Sequence, residues 1–230
     1  MNAKFIKYLV LIFGAISVLV SIVFGNEHTS YIKPVFHIFL MYFYYQKTKK
    51  VNGLLLFTFG SVLIGEFLVS KGFLIHFETI YFFFLLFFVG STILLYPMFK
   101  ETKLNLHRHS LISVFIGAIG LIAILLSTYF FTIDYVPEYS IFIADFASLS
   151  IFVITCFFIS HFSKHPKSFY LFIVGACYMV VTAGALAYET VFPSVVLLGI
   201  TNVSEVLAQY FFVYFLIEIS FKTNYEELPL

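Results

Sequence analysis

Three polar residues interrupt one of the most apolar stretches of the chain. The stretch from Ser194 to Ser220 is long and apolar enough to cross a bilayer, yet it contains Asn202, Glu205 and Gln209. Their spacing of i, i+3 and i+7 puts all three on one face of a helix. A carboxylate in hydrocarbon is costly unless it faces protein or water, so such a residue is a candidate for a functional role. We therefore predict a functional role for Glu205.

Other apolar stretches contain polar residues that could form one site with this stripe. Glu66 and Asp145 are acids within such stretches, and we predict that both belong to one functional site with Glu205. Other polar side chains in these stretches share helical faces, because they follow one another at steps of three and four residues. We predict that they bind the substrate, and they are Lys33, His37, Asn202, Gln209, Tyr178 and Glu189.

Each acid also has a structural explanation. Glu66 and Glu189 lie near enough to a predicted helix end to reach the membrane surface, and Asp145 could cap its helix. Glu205 is the hardest to explain in this way, because it lies about eleven residues, or ~16 Å, below the end of its span.

The two basic candidates have alternatives of the same kind. Lys33 next to Pro34 could be an interfacial anchor, and His37 on an aromatic face could be a hydrogen-bonded core residue.

No metal site is predicted, because His107 and His109 have no nearby carboxylate or cysteine that would complete four ligands. No motif of a cofactor-binding or phosphate-binding loop is present either, and we expect no cofactor.

The elements that must position these residues are membrane-spanning helices. The chain of 230 residues is 61% hydrophobic and only 11% charged, far from the composition of an ordinary soluble domain. Apolar runs of a length that can cross a bilayer predict eight spans and a single helical domain over residues 1–230. The predicted spans lie near 6–24, 31–46, 52–70, 79–98, 111–132, 140–162, 168–190 and 195–219.

The basic residues predict the topology. Eleven of the thirteen lysines and arginines, all except Lys33 and Lys71, fall on one side of an eight-span arrangement. We therefore predict an all-α polytopic bundle with both termini in the cytoplasm and an uncleaved first helix. In this topology every candidate site residue lies in the outer half of the bilayer, which predicts an outward-facing polar cavity.

The composition also bears on the class of partner. No basic patch interleaved with aromatic residues occurs on a polar segment, so nucleic-acid binding has no support. Cys156 and Cys177 both lie in apolar runs and are predicted to be small buried side chains. The sequence does not predict an oligomeric state.

Four short motifs resemble those of the YhhN family of transmembrane lysoplasmalogenases. They are Lys33-Pro34 in the second span, Gly65-Glu66 in the third, Gly175-Ala176 in the seventh and Ala208-Gln209 in the last. The family has an aspartate where this chain has Glu66, and it has a second acid where this chain reads Thr182-Ala183.

The resemblance implies a membrane lipid or a lysophospholipid as the ligand, and hydrolysis of the vinyl ether bond of a lysophospholipid, which yields an aldehyde. Together with the short loops, it also implies a bacterial inner (plasma) membrane as the location. One carboxylic acid would donate a proton to the alkenyl carbon, and a second carboxylate would stabilise the resulting cation and orient water. Glu66 and Glu205 fit these roles, with Asp145 as the alternative partner, while Lys33 and His37 would bind phosphate or set the protonation of the acids. Because Ala183 stands where the family has an acid, Glu205 is a candidate for its replacement.

Two other classes of function fit the same residues. A lipid-binding or sensory membrane protein could have the same fold without catalysis. A proton- or cation-coupled transporter would also use acids within helices, although the inner half of the predicted bundle offers few polar groups for passage.

Overall fold

The chain folds into a bundle of long α-helices. A computed structural model describes residues 3–103 and 139–226, with four isolated positions (123, 126, 127 and 130) between these ranges. Within these residues there are seven helices and no strand, which confirms the predicted all-α class for this part of the chain. The helices are α1 (Ala3–Phe24), α2 (Asn26–Thr48), α3 (Gly53–Lys71), α4 (Phe77–Glu101), α5 (Tyr139–Phe162), α6 (Phe169–Thr190) and α7 (Val195–Glu226).

Six of these helices, all except α2, are long and apolar enough to cross a membrane. The chain therefore has the helices of an integral membrane protein. The prediction of eight spans is supported in part, since the predicted span 111–132 lies outside the described residues. The predicted second span, 31–46, corresponds to α2, which is longer but too polar to count among the six.

The outer surface of the bundle is apolar, as expected for contact with lipid. Large hydrophobic side chains are exposed on every described helix, whereas a soluble protein seldom exposes so many together. Examples in chain order are Phe5, Leu19, Ile38, Phe57, Phe82, Ile154, Phe172 and Val196.

Local sequence signals explain where some helices begin and end. Gly25 alone separates α1 from α2, and its φ of 77° lies in the left-handed region that glycine adopts readily. The prediction had placed a longer loop there. The side chain of Asn52 caps α3 by accepting a hydrogen bond from the backbone N–H of Leu55 (3.1 Å).

The seven described helices form a closed ring. Each helix packs against the next described helix in the chain, and this includes α4 and α5, although residues that are not described lie between them. The ring closes where α1 packs on α7. In addition, α2 contacts α7. This order brings α2, α3 and α7, which carry Lys33, Glu66 and Glu205, next to one another.

Contacts along the helices establish their directions. α2 and α7 are parallel, because Lys33 contacts Glu205 near their beginnings and Tyr44 lies 3.4 Å from Ser220 near their ends. α1 is antiparallel to α7, since the Lys7 ammonium lies 5.8 Å from the centre of the Tyr214 ring. The beginning of α1 and the end of α7 therefore lie at the same end of the bundle.

α4 and α5 also run in the same direction. Near their beginnings the ring of Tyr81 lies 5.3 Å from that of Phe142, and near their ends Phe99 lies 5.0 Å from Phe158. We call the end of the bundle at which α2, α4, α5 and α7 begin, and at which α3 and α6 end, the cavity end. The beginning of α1 and the end of α7 lie at the opposite end.

Candidate functional site

A cavity lies inside the ring at the cavity end. The cavity and its open mouth together enclose about 970 Å³ of space free of protein atoms. Its wall is formed by α2 to α7, and most of the lining side chains are aromatic or aliphatic, as is usual for ligand pockets. Among the predicted site residues, eight line this cavity, and they are Lys33, Glu66, Asp145, Tyr178, Glu189, Asn202, Glu205 and Gln209.

The centre of the site is one lysine between two glutamates. The ammonium nitrogen of Lys33 lies 2.7 Å from Oε2 of Glu205 and 3.7 Å from Oε2 of Glu66. The exposed fractions of the three side chains are only 14%, 11% and 8%, respectively. Two acids from different helices therefore share one cation in a poorly hydrated place, an arrangement that is costly to desolvate and is held by its mutual attraction.

Gln209 joins the two acids from the other side. Its amide nitrogen Nε2 donates to Oε1 of Glu205 at 3.1 Å and, more weakly, to Oε1 of Glu66 at 3.4 Å. Glu205 and Gln209 are one helical turn apart on α7, as their spacing predicted. The contact with Glu66 on α3 could not be read from spacing.

Glu66 and Lys33 therefore have partners inside the bundle. These contacts do not fit the two alternatives, in which Glu66 reaches the membrane surface and Lys33 acts only as an interfacial anchor. Glu205 has shorter contacts than Glu66, because Lys33 lies 2.7 Å and Gln209 3.1 Å from its carboxylate.

Small residues next to the polar ones let the helices approach closely. A Cβ on Gly65 would lie 2.7 Å from the ring of Phe84, so glycine allows α4 to pack against α3 beside Glu66. Ala208, next to Gln209, is fully buried. A Cβ on Gly175 would likewise lie 2.9 Å from the ring of Phe157 of α5. Small residues in the motifs quoted above thus serve helix packing, and in two of those motifs the neighbouring residue lines the cavity.

His37 does not line the cavity. It lies one turn beyond Lys33 on α2, and its Nδ1 is 2.8 Å from the backbone oxygen of Lys33. Its ring makes edge contacts with Phe36 and Phe59, and its Nε2 has no hydrogen-bond partner among the described residues. The predicted role of His37 in direct substrate binding is not supported by this position, and the core-residue alternative describes it better.

Apart from Glu66, whose Oε2 faces Lys33 at 3.7 Å, two residues of the wall have a buried polar atom with no hydrogen-bond partner among the described residues. One atom is Oδ1 of Asp145, a residue that is only 1% exposed. The other is the hydroxyl oxygen of Tyr178, a residue that is 3% exposed. Asn202, by contrast, donates to the backbone oxygen of Leu198 at 2.9 Å. Asp145 and Tyr178 therefore line the cavity and each has a buried polar atom without a described hydrogen-bond partner.

The wall of the cavity includes residues that the sequence did not single out. Aromatic side chains of α4 form a continuous part of it, namely Tyr81, Phe84, Phe87 and Phe88, and Phe73 adds to them. The only signal for them was the density of phenylalanine near the start of the fourth predicted span, which equally suits contact with lipid.

Of the pair Thr182-Ala183, only Thr182 lines the cavity. Within the described residues, no group of three or more histidines, cysteines and acids has the arrangement of a metal site.

No protein-family model, no curated protein and no solved structure matches the chain.

Proposed function

We propose that this protein is a membrane-embedded hydrolase, similar to the lysoplasmalogenases, that cleaves the vinyl ether bond of a lysophospholipid. The observation that carries the proposal is the meeting of Glu66 and Glu205 on Lys33 in the wall of a largely apolar cavity. An acid-catalysed cleavage needs a proton donor and a second charged group within reach of one substrate bond.

Charge balance assigns the two acids different roles. One lysine neutralises one carboxylate, and a second carboxylate ionised in the same poorly hydrated place would be a buried charge without a partner. Lys33 is 1.0 Å closer to Glu205 than to Glu66, as the distances of 2.7 and 3.7 Å show. Glu205 is therefore the ionised partner of Lys33, and Glu66 is the carboxylic acid that holds a proton.

The reaction then proceeds in two steps. Glu66 transfers its proton to the alkenyl carbon, the carbon–carbon double bond becomes a single bond, and an oxocarbenium ion forms. The negative charge of Glu205 stabilises this cation and orients a water molecule, whose oxygen attacks it. The proton released by water returns to Glu66, and the hemiacetal separates into an aldehyde and an alcohol. No redox partner is needed.

The contacts of Lys33 favour one of its two predicted roles. Both of its short contacts are with the glutamates, so Lys33 sets the protonation of the acids instead of binding phosphate. The aromatic side chains of α4 that line the cavity offer apolar surface for the alkenyl chain of the substrate.

Release of aldehyde tests the proposal. Purified protein in detergent is incubated with lysoplasmalogen between pH 5 and 8, and aldehyde is measured. We expect Glu66→Gln to abolish release, because it removes the proton donor, and Glu205→Gln to slow it by about 100-fold or more, as loss of a positioned acid or base typically does. Glu78→Gln is the matched control, since Glu78 is exposed at the beginning of α4.

The outcomes are distinct. Absence of aldehyde from the wild-type protein with several head groups would refute the hydrolase. Equal rates for the wild type and Glu66→Gln would keep the activity but remove Glu66 from the mechanism.

A non-catalytic lipid-binding or sensory protein is the second candidate. It is favoured by the ion pairing itself, because a lysine satisfied by two glutamates and a glutamine can serve to hold α2, α3 and α7 together. Binding of a lysophospholipid without release of aldehyde would support this candidate over the hydrolase.

The topology belongs to the same proposal. We infer eight membrane spans, because α4 and α5 run in the same direction and are therefore separated by an odd number of crossings. The basic residues favour a cytoplasmic location for both termini and thus a cavity that faces outward, in a bacterial inner membrane.

A further inference from the structure

The end of the bundle opposite the cavity carries most of the positive charge of the described chain. Nine lysines with described side chains lie there, against two such acids, Glu101 and Glu218. Two of the lysines, Lys7 and Lys167, are half-buried. The other seven are exposed, and they are Lys4, Lys47, Lys49, Lys50, Lys100, Lys103 and Lys164.

The two half-buried lysines reach tyrosine rings that touch each other. The ammonium nitrogen of Lys7 lies 5.8 Å from the centre of the Tyr214 ring, and that of Lys167 lies 5.6 Å from the centre of the Tyr170 ring. The two ring centres are 5.4 Å apart and the ring planes are inclined at 85°. A cation over an aromatic face is attracted by the ring. We call these four residues the lysine–tyrosine cluster.

Local contacts hold Lys167 and Tyr170 in place on α7. The backbone N–H of Lys167 donates to Nδ1 of His165 at 3.2 Å, and the His165 ring makes an edge contact with Phe215, with ring centres 5.7 Å apart. The Tyr170 ring stacks on Phe211 at 5.2 Å. The loop that carries Lys167 is therefore attached to α7 through aromatic contacts.

The cluster has more positive than negative charge. Neither Lys7 nor Lys167 forms an ion pair with a described residue, because the ion pairs in this part of the chain are those of Lys33. One acid, Glu218, lies one turn after Tyr214 and is close enough to act on it electrostatically, as is Lys167. One glutamate beside two lysines leaves one positive charge uncompensated.

Membrane topology does not explain this arrangement. The orientation of a membrane protein depends on the side on which its lysines lie, and the seven exposed lysines meet that need equally well. It gives no reason for two lysines from different parts of the chain to converge on one pair of rings.

An exposed apolar stripe of α7 leads away from the cluster. Tyr214, Phe211, Leu207 and Val203 follow one another at steps of three and four residues and so share one helical face. Leu207 is 39% and Val203 43% exposed. The stripe from Tyr214 to Val203 covers about eleven residues, or ~16 Å. This is about half of the ~30 Å hydrocarbon core of a bilayer, and therefore the depth of one leaflet.

We propose that the lysine–tyrosine cluster binds the phosphate of an anionic phospholipid whose acyl chains lie along this stripe of α7. Lys7 and Lys167 supply the positive charge, and the tyrosine rings, which favour the head-group level, hold both ammonium groups there. Basic pockets between transmembrane helices are known sites for acidic lipid head groups. The site is at the other end of the bundle from the cavity and does not rest on the proposed hydrolysis.

Tryptophan fluorescence can report on this site alone, because the chain contains no tryptophan. Leu207→Trp introduces one on the stripe. Val89→Trp is the matched control on α4, since Leu207 and Val89 are 39% and 41% exposed and each lies twelve residues after the first residue of its helix. Each full-length variant is reconstituted in phosphatidylcholine bilayers. A small fraction of the lipid is phosphatidylglycerol or phosphatidylcholine with brominated chains, and bromine quenches a tryptophan that the chains contact.

We expect the Leu207→Trp protein to prefer phosphatidylglycerol over phosphatidylcholine by about tenfold, as two lysines near a phosphate would give. The Val89→Trp protein should show a preference of less than about twofold, since no such cluster adjoins its position. Adding Lys7→Gln and Lys167→Gln to Leu207→Trp should abolish the preference. Adding Lys47→Gln and Lys100→Gln, which removes the same charge from exposed positions at the same end, should leave it nearly unchanged.

Three results would overturn the site. Equal quenching of the Leu207→Trp protein by the two lipids would do so without any change to a lysine. A preference that persists without Lys7 and Lys167, or that is equally large in the Val89→Trp protein, would show only a general attraction to the basic end. Loss of the preference in excess free glycerol phosphate would mean that the site binds a soluble phosphate and not a lipid. None of these results bears on aldehyde release, and absence of aldehyde release would leave the lipid site intact.

Discussion

Replacing Lys33 by methionine should destabilise the protein more than any single change to an acid around it. The substitution keeps most of the side-chain volume but leaves Glu66 and Glu205 without their shared cation. Removal of one partner of a buried ion pair costs about 3–5 kcal/mol. Because the three side chains retain exposed fractions of 8–14%, we expect a cost near the lower limit, about 3 kcal/mol.

This cost can be measured as a change in unfolding temperature in detergent. For a chain of this size, 1 kcal/mol corresponds to about 2–4 °C, so Lys33→Met should lower the apparent unfolding temperature by about 6–12 °C. Lys71→Met is the matched control, since Lys71 is an exposed lysine at the same end of the bundle that lies over the Phe67 ring. It should cost no more than about 1 kcal/mol.

A second substitution separates charge from packing. Adding Glu205→Gln to Lys33→Met removes the carboxylate that Lys33→Met leaves without its cation, so the double variant should regain about 2 kcal/mol relative to Lys33→Met. The same Glu205→Gln change in the wild type should not stabilise the protein. If the double variant were no more stable than Lys33→Met, or if Lys71→Met cost as much as Lys33→Met, the assignment of Glu205 as the ionised partner of Lys33 would fail.

Two further predictions concern packing and topology. Gly184→Ala should cost about 1–3 kcal/mol of stability, because the added Cβ would overlap the hydroxyl of Thr201 on α7. Gly60→Ala is the control and should cost nothing, since a Cβ there would have nothing within 4 Å. The two variants are compared by their unfolding temperatures in detergent, and equal values would contradict close packing of α6 on α7. In a variant with both cysteines replaced by alanine, Lys71→Cys should react with an impermeant thiol reagent from outside intact cells and Lys49→Cys should not; the reverse pattern would place the cavity on the cytoplasmic side.

The helices themselves were predictable because they follow from local chemistry. A long apolar run in a membrane can satisfy its backbone only as a helix, so most described helices were found near their predicted positions. The second was less well predicted. α2 begins at Asn26 because Gly25 alone makes the turn from α1, and the sequence had suggested a longer loop.

Spacing along one helix also predicted contacts correctly. Glu205 and Gln209 lie one turn apart and are hydrogen-bonded, because residues at i and i+4 face the same way on any α-helix. The same rule misled for His37. It lies one turn from Lys33 on α2, but its Nδ1 is close to the Lys33 backbone oxygen and its ring packs among phenylalanines, away from the cavity.

The sequence by itself determined which residues are embedded and which of them share a helical face, since both depend only on hydropathy and on the 3.6-residue period. It could not determine which helices are neighbours, because that depends on packing among many similar apolar surfaces. Only the ring order of the helices brought Lys33 of α2 between Glu66 of α3 and Glu205 of α7. The same packing left Asp145 facing the cavity without a described partner, which no spacing along its own helix could reveal.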